Sequence, residues 1–132
     1  MTAAPSTAWP ISGQLLDGLS RRDFTALERC LTAGARMRAL VPMGPLELTG
    51  GASIADRFRL WFGGDDAFEM IEASASDVGS KHYLRWRVRM TSTEMPAQSR
   101  VAEQHLYTTG TEAIETIDLL CSGFHAEIGE VR

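Results

Sequence analysis

Cysteine is scarce in this 132-residue sequence, lysine occurs once, and asparagine is absent. The two cysteines, Cys30 and Cys121, are too few for a disulfide framework and show neither CxxC nor Cys/His metal spacing. We therefore expect both thiols to be reduced and buried, and no metal or other cofactor to be bound. A phosphate-binding glycine loop and a GxSxG nucleophile elbow are also missing. Twelve arginines beside one lysine indicate a GC-rich bacterial genome.

The sequence also lacks long apolar runs and an excess of basic residues. No run approaches the roughly 20 residues of a transmembrane helix, and the N-terminal MTAAPSTAWP has no basic start or apolar segment typical of a signal peptide. We expect a soluble, cytoplasmic protein with no membrane partner. A net charge of −4 predicts no nucleic-acid partner, because phosphate binding depends on clustered Lys and Arg.

The composition and length indicate a single globular domain. Apolar residues make up 44% of the chain and charged residues 23%, which are ordinary values for a folded protein. A chain of 132 residues can bury one core but is too short for two. We assign the domain to residues 11–125, with poorly ordered tails at residues 1–10 and 126–132.

Two helices are predicted before the first strand. Residues 12–21 form the first, and Asp23 caps the second, which ends at the stop signal Gly34. Apolar residues recur at helical spacing and form the inward stripes. These residues are Leu15, Leu16 and Leu19 in the first helix, and Phe24, Leu27 and Leu31 in the second.

A third helix is marked at both ends. Gly50-Gly51 precedes the capping-box spacing from Ser53 to Asp56, and Gly63-Gly64 ends the segment. One face is apolar at the spacing i, i+4, i+7 and i+8. Its members are Ile54, Phe58, Trp61 and Phe62.

Six strands are predicted around and after the third helix. Turns at residues 79–80 and 110–111 make most neighbouring strands antiparallel. The predicted strands are residues 35–41, 46–49, 67–78, 82–93, 100–109 and 113–122. This order predicts an α+β fold in which three helices of the N-terminal half pack on one face of a strongly curved, mostly antiparallel mixed sheet.

Several segments together resemble the nuclear-transport-factor-2-like, or SnoaL-like, superfamily. They are GLSRRDFTAL at residues 18–27, GGASI at 50–54 followed by Arg57-Phe58 and Trp61-Phe62, EQHLY at 103–107, and IETIDLL at 114–120. The resemblance covers residues 14–124 and identifies no subfamily. It implies a cone-shaped α+β barrel whose mouth admits a small, largely apolar molecule, and a homodimer formed through the outer sheet face.

The resemblance does not by itself decide the activity, since members include ketosteroid isomerases, polyketide cyclases, epoxide hydrolases, dehydratases and binding-only proteins. The isomerase general base corresponds to a position near Val41, and its oxyanion tyrosine to a position near Leu15; neither residue can do that work. The acidic partner of the isomerases corresponds to Glu103. Steroid isomerisation is therefore disfavoured. For a dehydratase-like His/Asp pair, the nearest residues are His105 or His82 with Asp118.

Glu103 and His105 are the candidate catalytic residues. They lie two positions apart on one strand, so their side chains share a sheet face. If that face is enclosed, a carboxyl and an imidazole stand inside an apolar chamber, as in many small-molecule sites. A structural alternative is open for both: Glu103 bound to a backbone group or to an arginine such as Arg36 or Arg38, and His105 as a hydrogen-bonded core histidine.

Aromatic and apolar residues are the candidate ligand contacts, although filling the core is the alternative for several of them. These candidates are Trp61, Phe62, His82, Trp86, Tyr107 and Leu119. The register of the last hairpin stays open. A two-residue turn at Gly110-Thr111 pairs Asp118 with Glu103, whereas a three-residue turn directs Ile117, Leu119 and Cys121 inward. We favour Asp118 on the outside.

Arg85, Arg87 and Arg89 alternate with apolar residues and form an arginine stripe on one strand face. We interpret it as a solvated outer face, with a surface for an acidic partner as the alternative. Leu119 and Leu120 give the last strand two apolar faces, which predicts a homodimer. Two functions remain open: a cofactor-independent lyase, isomerase, cyclase or hydrolase, and a non-catalytic ligand-binding or dimerisation module.

Overall fold

A computed structural model describes residues 10–95 and 98–127 of the chain. The tail predictions for residues 1–9 and 128–132 lie outside these ranges. Within them, the helices are too short or too polar to cross a bilayer.

Three helices pack against one mixed sheet, which confirms the predicted α+β fold. The helices are α1 (Ile11–Ser20), α2 (Phe24–Arg29) and α3 (Gly51–Phe62). The strands are β1 (Leu31–Val41), β2 (Gly44–Thr49), β3 (Ala67–Val78), β4 (Lys81–Thr91), β5 (Ser99–Thr109), β6 (Ile114–Cys121) and β7 (His125–Ala126). Their order is β2-β1-β6-β5-β4-β3, and β7 pairs with β5. Among the described pairings, β1 with β6 is parallel and the others are antiparallel.

The second helix is shorter than predicted. Asp23 caps it as expected, accepting a hydrogen bond from the Ala26 N–H at 3.0 Å. The helix ends at Arg29 rather than near Gly34, and Leu31 begins β1. The sheet overrides the helical pattern here, because the Cys30 carbonyl accepts a 2.7 Å hydrogen bond from the Ile114 N–H of β6. Leu31 remains buried, but as a strand residue.

The third helix also begins differently from the prediction. Gly50 is its N-cap with a φ of 104°, and no side chain caps the helix, so the predicted capping box at Ser53 is wrong. Gly51 packs tightly on β1, since a Cβ there would lie 2.8 Å from the Thr32 carbonyl oxygen. The predicted apolar face is correct for Ile54, Phe58 and Phe62, which are buried.

The helices cover the inner face of the sheet, and alternation along the strands decides which residues face them. The buried inner residues are Leu84, Trp86, Val88 and Met90 on β4, Ala102, Gln104, Leu106 and Thr108 on β5, and Ile117 and Leu119 on β6. The intervening residues form the outer face. The arginine stripe and the predicted catalytic pair both belong to it.

The connection between β5 and β6 fixes the register that the sequence left open. It runs from Gly110 to Ala113, longer than either turn considered, and pairs Tyr107 with Asp118. Asp118 lies on the outer face, as favoured, and bonds to Arg38 at 2.8 Å. Ile117 and Leu119 face inward.

Both cysteines are free thiols. Cys30 is buried, and burial raises the pKa of its thiol. Cys121 is half-buried at the end of β6, so the expectation of a buried thiol is correct for Cys30 only.

Candidate functional site

Glu103 and His105 lie outside the chamber, so the enclosed-face hypothesis for them is wrong. The residues between them on β5 point inward and complete the core with β4: Ala102, Gln104 and Leu106. On the outer face, Glu103 stands opposite Arg87 of β4. The pairing of β5 with β4 therefore brings the carboxylate to the arginine stripe rather than to an apolar cavity.

A hydrogen-bonded chain runs through the predicted catalytic pair. Arg87 donates to Oε1 of Glu103 from Nε at 3.0 Å and from Nη2 at 2.8 Å. Oε2 of Glu103 lies 2.6 Å from Nε2 of His105, whose Nδ1 lies 2.6 Å from the Tyr83 hydroxyl. Every member of this chain is thus already engaged by a neighbour.

The charge environment keeps Glu103 ionised. Hydrogen bonding to Arg87, and then to His105, holds the pKa of the Glu103 carboxyl below its ordinary value. A proton donor at neutral pH needs the opposite shift. The geometry therefore gives Glu103 a structural task, as one half of an ion pair.

Replacing Glu103 by glutamine is expected to lower the free energy of unfolding by about 1 kcal/mol at pH 7. Because the pKa is depressed in the folded state, this stabilisation is present above the unfolded pKa of about 4.3 and is lost as the pH falls through the folded value. Urea unfolding at pH 7 and below pH 4 measures the difference. Glu115→Gln, on an exposed β6 residue, is the matched control. A cost for Glu103→Gln that does not shrink in acid would contradict this assignment.

The arginine stripe is neutralised by glutamates of the same chain. Arg85 pairs with Glu72 at 3.2 Å. Arg89 pairs with Glu69 at 2.8 Å and with Glu127 at 2.7 Å. Together with the pairing of Arg87 and Glu103, these contacts favour the predicted outer-face role over a surface for an acidic partner.

The predicted ligand contacts do not gather at one place. Trp61 and Phe62 border an internal cavity, whereas Trp86 and Leu119 are buried in the core. Tyr107 is exposed on the outer face. His82, near the start of β4, has its Nδ1 2.8 Å from a carboxylate oxygen of Asp77.

The internal cavity, called the inner cavity below, has a volume of about 460 Å³. It lies between the β1–β2 hairpin, α3 and the end of β6, and this volume is in the usual range of small-molecule sites. Most of its wall is apolar or aromatic. The lining residues are Val41, Pro42, Met43, Gly44, Pro45, Leu46, Arg57, Trp61, Phe62, Gln104, Cys121, Gly123 and Phe124.

Gln104 is the polar feature of this wall that most needs an explanation. Its side chain is fully buried, and its Oε1 accepts a 2.9 Å hydrogen bond from the Trp86 indole N–H. Since an indole nitrogen can only donate, this contact fixes which end of the amide is oxygen. The Nε2 group has no hydrogen-bond partner among the described residues. An unpaired buried donor is costly, so it indicates an acceptor supplied from outside the chain.

The other polar side chains of the inner cavity are Arg57 and Cys121. No aspartate, glutamate or histidine is among the described residues that line it. The part of the chain that the structure describes also holds no cluster of three or more His, Cys, Asp or Glu suited to a metal ion. The inner cavity can therefore bind and orient a molecule, but it offers no carboxyl or imidazole for proton transfer.

Sequence reasoning missed Gln104 and Arg57. One signal for Gln104 was present, because an amide interrupts the apolar positions 102 and 106 on a strand whose neighbour, β4, has an unbroken apolar face. Arg57 gave no signal, since a helix commonly carries arginine on its solvated side.

A second concavity lies on the outer face, with a volume of about 620 Å³. We call it the outer groove. Its lining combines exposed apolar side chains with part of the hydrogen-bonded chain described above. The residues are Arg38, Ala39, Leu40, Pro45, Leu46, Glu47, Tyr83, His105, Tyr107, Asp118, Leu119 and Leu120.

Comparison with known proteins identifies the fold. No protein-family model matches the sequence, and no curated protein matches it significantly. Three solved structures are similar in fold. A proposed polyketide cyclase from Xanthomonas campestris has a TM-score of 0.63 and 12% identity, covering 83% of this chain and 86% of the other. An LEH-like epoxide hydrolase from M. tuberculosis has a TM-score of 0.63 and 13% identity, covering 85% and 80%. An NTF2-like protein of unknown function from Cytophaga hutchinsonii has a TM-score of 0.55 and 12% identity, covering 85% and 87%. The three helices and the mixed sheet of this chain thus form the NTF2-like fold that the sequence resemblance predicted.

Proposed function

We propose that this protein binds a small, largely apolar molecule in the inner cavity through an oxygen acceptor such as a carbonyl. The observation that carries the proposal is the buried Gln104 Nε2 group, which has no partner among the described residues. A ligand carbonyl would satisfy this donor. The apolar and aromatic wall favours an apolar body for the rest of the molecule.

The proposed role is binding rather than proton-transfer catalysis by a carboxyl or histidine. The described lining residues include no such group, and the nearest sequence candidates, Glu103 and His105, are hydrogen-bonded on the outer face. Similar folds include a proposed polyketide cyclase and an epoxide hydrolase, which supports a pocket-based role in general. Their names do not choose the ligand, because one fold hosts many activities.

Native mass spectrometry of protein purified from cells tests this proposal. The wild-type protein is expected to retain a small molecule, and Gln104→Met, which keeps a similar volume without the amide, is expected to lose it. Glu103→Gln, on the outer face, is the matched control and is expected to retain the same mass. Equal retention by Gln104→Met and the wild type would overturn the inner cavity as the binding site.

We further propose that the outer groove forms a homodimer interface with a second copy of the chain. Leu40 and Leu120 are register neighbours through the β1–β6 pair and are each 53% exposed, and Tyr107 is 41% exposed beside them. The charged groups nearby are already paired, as in Arg38 with Asp118. Burying the face would therefore remove apolar surface from water without leaving an ion unpaired.

Replacing Leu120 by glutamate is expected to shift the protein from dimer to monomer at tens of micromolar, because it introduces a charge into the apolar part of the interface. Sedimentation velocity measures the change. Leu60→Glu is the matched control, since Leu60 is exposed on α3 and does not line the outer groove. A wild-type protein that sediments only as a monomer, or a Leu120→Glu variant that remains dimeric, would contradict this interface.

A further inference from the structure

We propose that the molecule bound in the inner cavity is a carboxylic acid, and that Arg57 binds its carboxylate. This inference rests on the proposed function of the inner cavity and narrows the ligand to one chemical class. It depends on the partners of Arg57, the charge of the cavity wall and the position of Gln104 in the same wall.

Arg57 is half-buried on α3 and borders the inner cavity. Within residues 10–95 and 98–127, its guanidinium forms no hydrogen bond or ion pair. Arg59, two positions later on α3, pairs with Asp56. An available carboxylate in the same helix thus serves the neighbouring arginine, and Arg57 is left to face the cavity.

The charge of the wall favours an anion. Arg57 is the only charged side chain among the described residues that line the inner cavity. A guanidinium presents a planar set of donors that matches the two oxygens of a carboxylate. In a partly dehydrated site, such a charged pair is stronger than it is in water.

The Gln104 amide gives a second, independent donor in the same wall. Its unpartnered Nε2 is fully buried, so a ligand oxygen that reaches it lies deep in the cavity. A molecule with an acidic head and an apolar body can satisfy both donors and cover the aromatic wall of Trp61, Phe62 and Phe124. A neutral ligand would satisfy Gln104 but leave Arg57 to water.

The competing explanation is that Arg57 only covers apolar surface with its stem while its head stays hydrated. A matched pair of probes separates the two explanations: 2-naphthoate and 2-naphthamide have nearly the same shape and differ in charge. Isothermal titration calorimetry measures the affinity of each probe for the wild-type protein, Arg57→Gln and Arg57→Lys. Arg29→Gln removes one positive charge from an exposed position at the end of α2 and is the matched control.

We expect 2-naphthoate to bind the wild-type protein at least tenfold more tightly than 2-naphthamide. Arg57→Gln should remove this preference, Arg57→Lys should keep part of it, and Arg29→Gln should leave it unchanged. Equal affinities of both probes for the wild type, or a preference that survives Arg57→Gln, would overturn the carboxylate assignment but leave the proposed function intact. If neither probe binds at millimolar concentration, the proposed function itself fails, and this inference fails with it.

Discussion

Replacing Trp86 by alanine is expected to lower the free energy of unfolding by about 3–5 kcal/mol. The indole is fully buried at the centre of β4 and makes an edge contact with Phe58 of α3, with ring centroids 6.3 Å apart. The change also removes the donor that satisfies Oε1 of Gln104, so a buried acceptor loses its partner. Denaturant unfolding followed by circular dichroism measures the loss.

Trp61→Ala is the matched control for this prediction. Trp61 is half-buried at the border of the inner cavity, and its ring makes edge contacts with Phe58 and Phe62. Truncating a side chain that already adjoins a cavity removes less packing, so we expect a cost of about 1–2 kcal/mol. Equal costs for the two substitutions would contradict the distinction between core and cavity wall drawn here.

Replacing Gly110 by alanine is expected to cost about 2–4 kcal/mol, because the new Cβ has no room and the backbone conformation is unfavourable. Gly110 has a φ of 113°, and a Cβ there would stand 2.0 Å from the Ala113 carbonyl oxygen. The connection between β5 and β6 must rebuild, and this connection sets which residues of β6 face inward. Chemical unfolding gives the cost, and a two-dimensional amide NMR spectrum reports any change of register.

Gly64→Ala separates the two causes. Gly64 also has a positive φ, of 97°, but nothing lies within 4 Å of its added Cβ. Only the conformational penalty applies there, so we expect a cost of about 1 kcal/mol. A Gly110→Ala variant no less stable than Gly64→Ala would show that the β5–β6 connection tolerates a side chain.

The sequence predicted the elements that a repeating pattern defines. The third helix and β4 have apolar residues at regular spacing, and Phe58 and Trp86 are buried as that spacing requires. The α2 boundary was less accurate, because the hydrogen bond from Ile114 to the Cys30 carbonyl is a contact between residues far apart in the chain. Local propensity cannot anticipate such a contact.

The candidate site was harder to predict, because β5 carries polar or apolar residues on both faces. Glu103 and His105 form a plausible acid–base pair by spacing, yet the register that places Arg87 opposite Glu103 depends on the connection between β4 and β5. The importance of Gln104 is visible only in three dimensions. Trp86 and the cavity wall come from other elements, and an unpaired amide group is defined by what surrounds it.

Calorimetric titration of 2-naphthamide into Gln104→Met and His105→Gln tests most directly which face of the sheet holds the site. The inner-cavity account predicts that Gln104→Met weakens binding about tenfold, through the loss of one buried hydrogen bond. His105→Gln, on the outer face, should bind the probe within about twofold of the wild type, which is inside the usual effect of a distant surface change. Loss of binding in His105→Gln, with unchanged affinity in Gln104→Met, would contradict the account and return the site to the outer face.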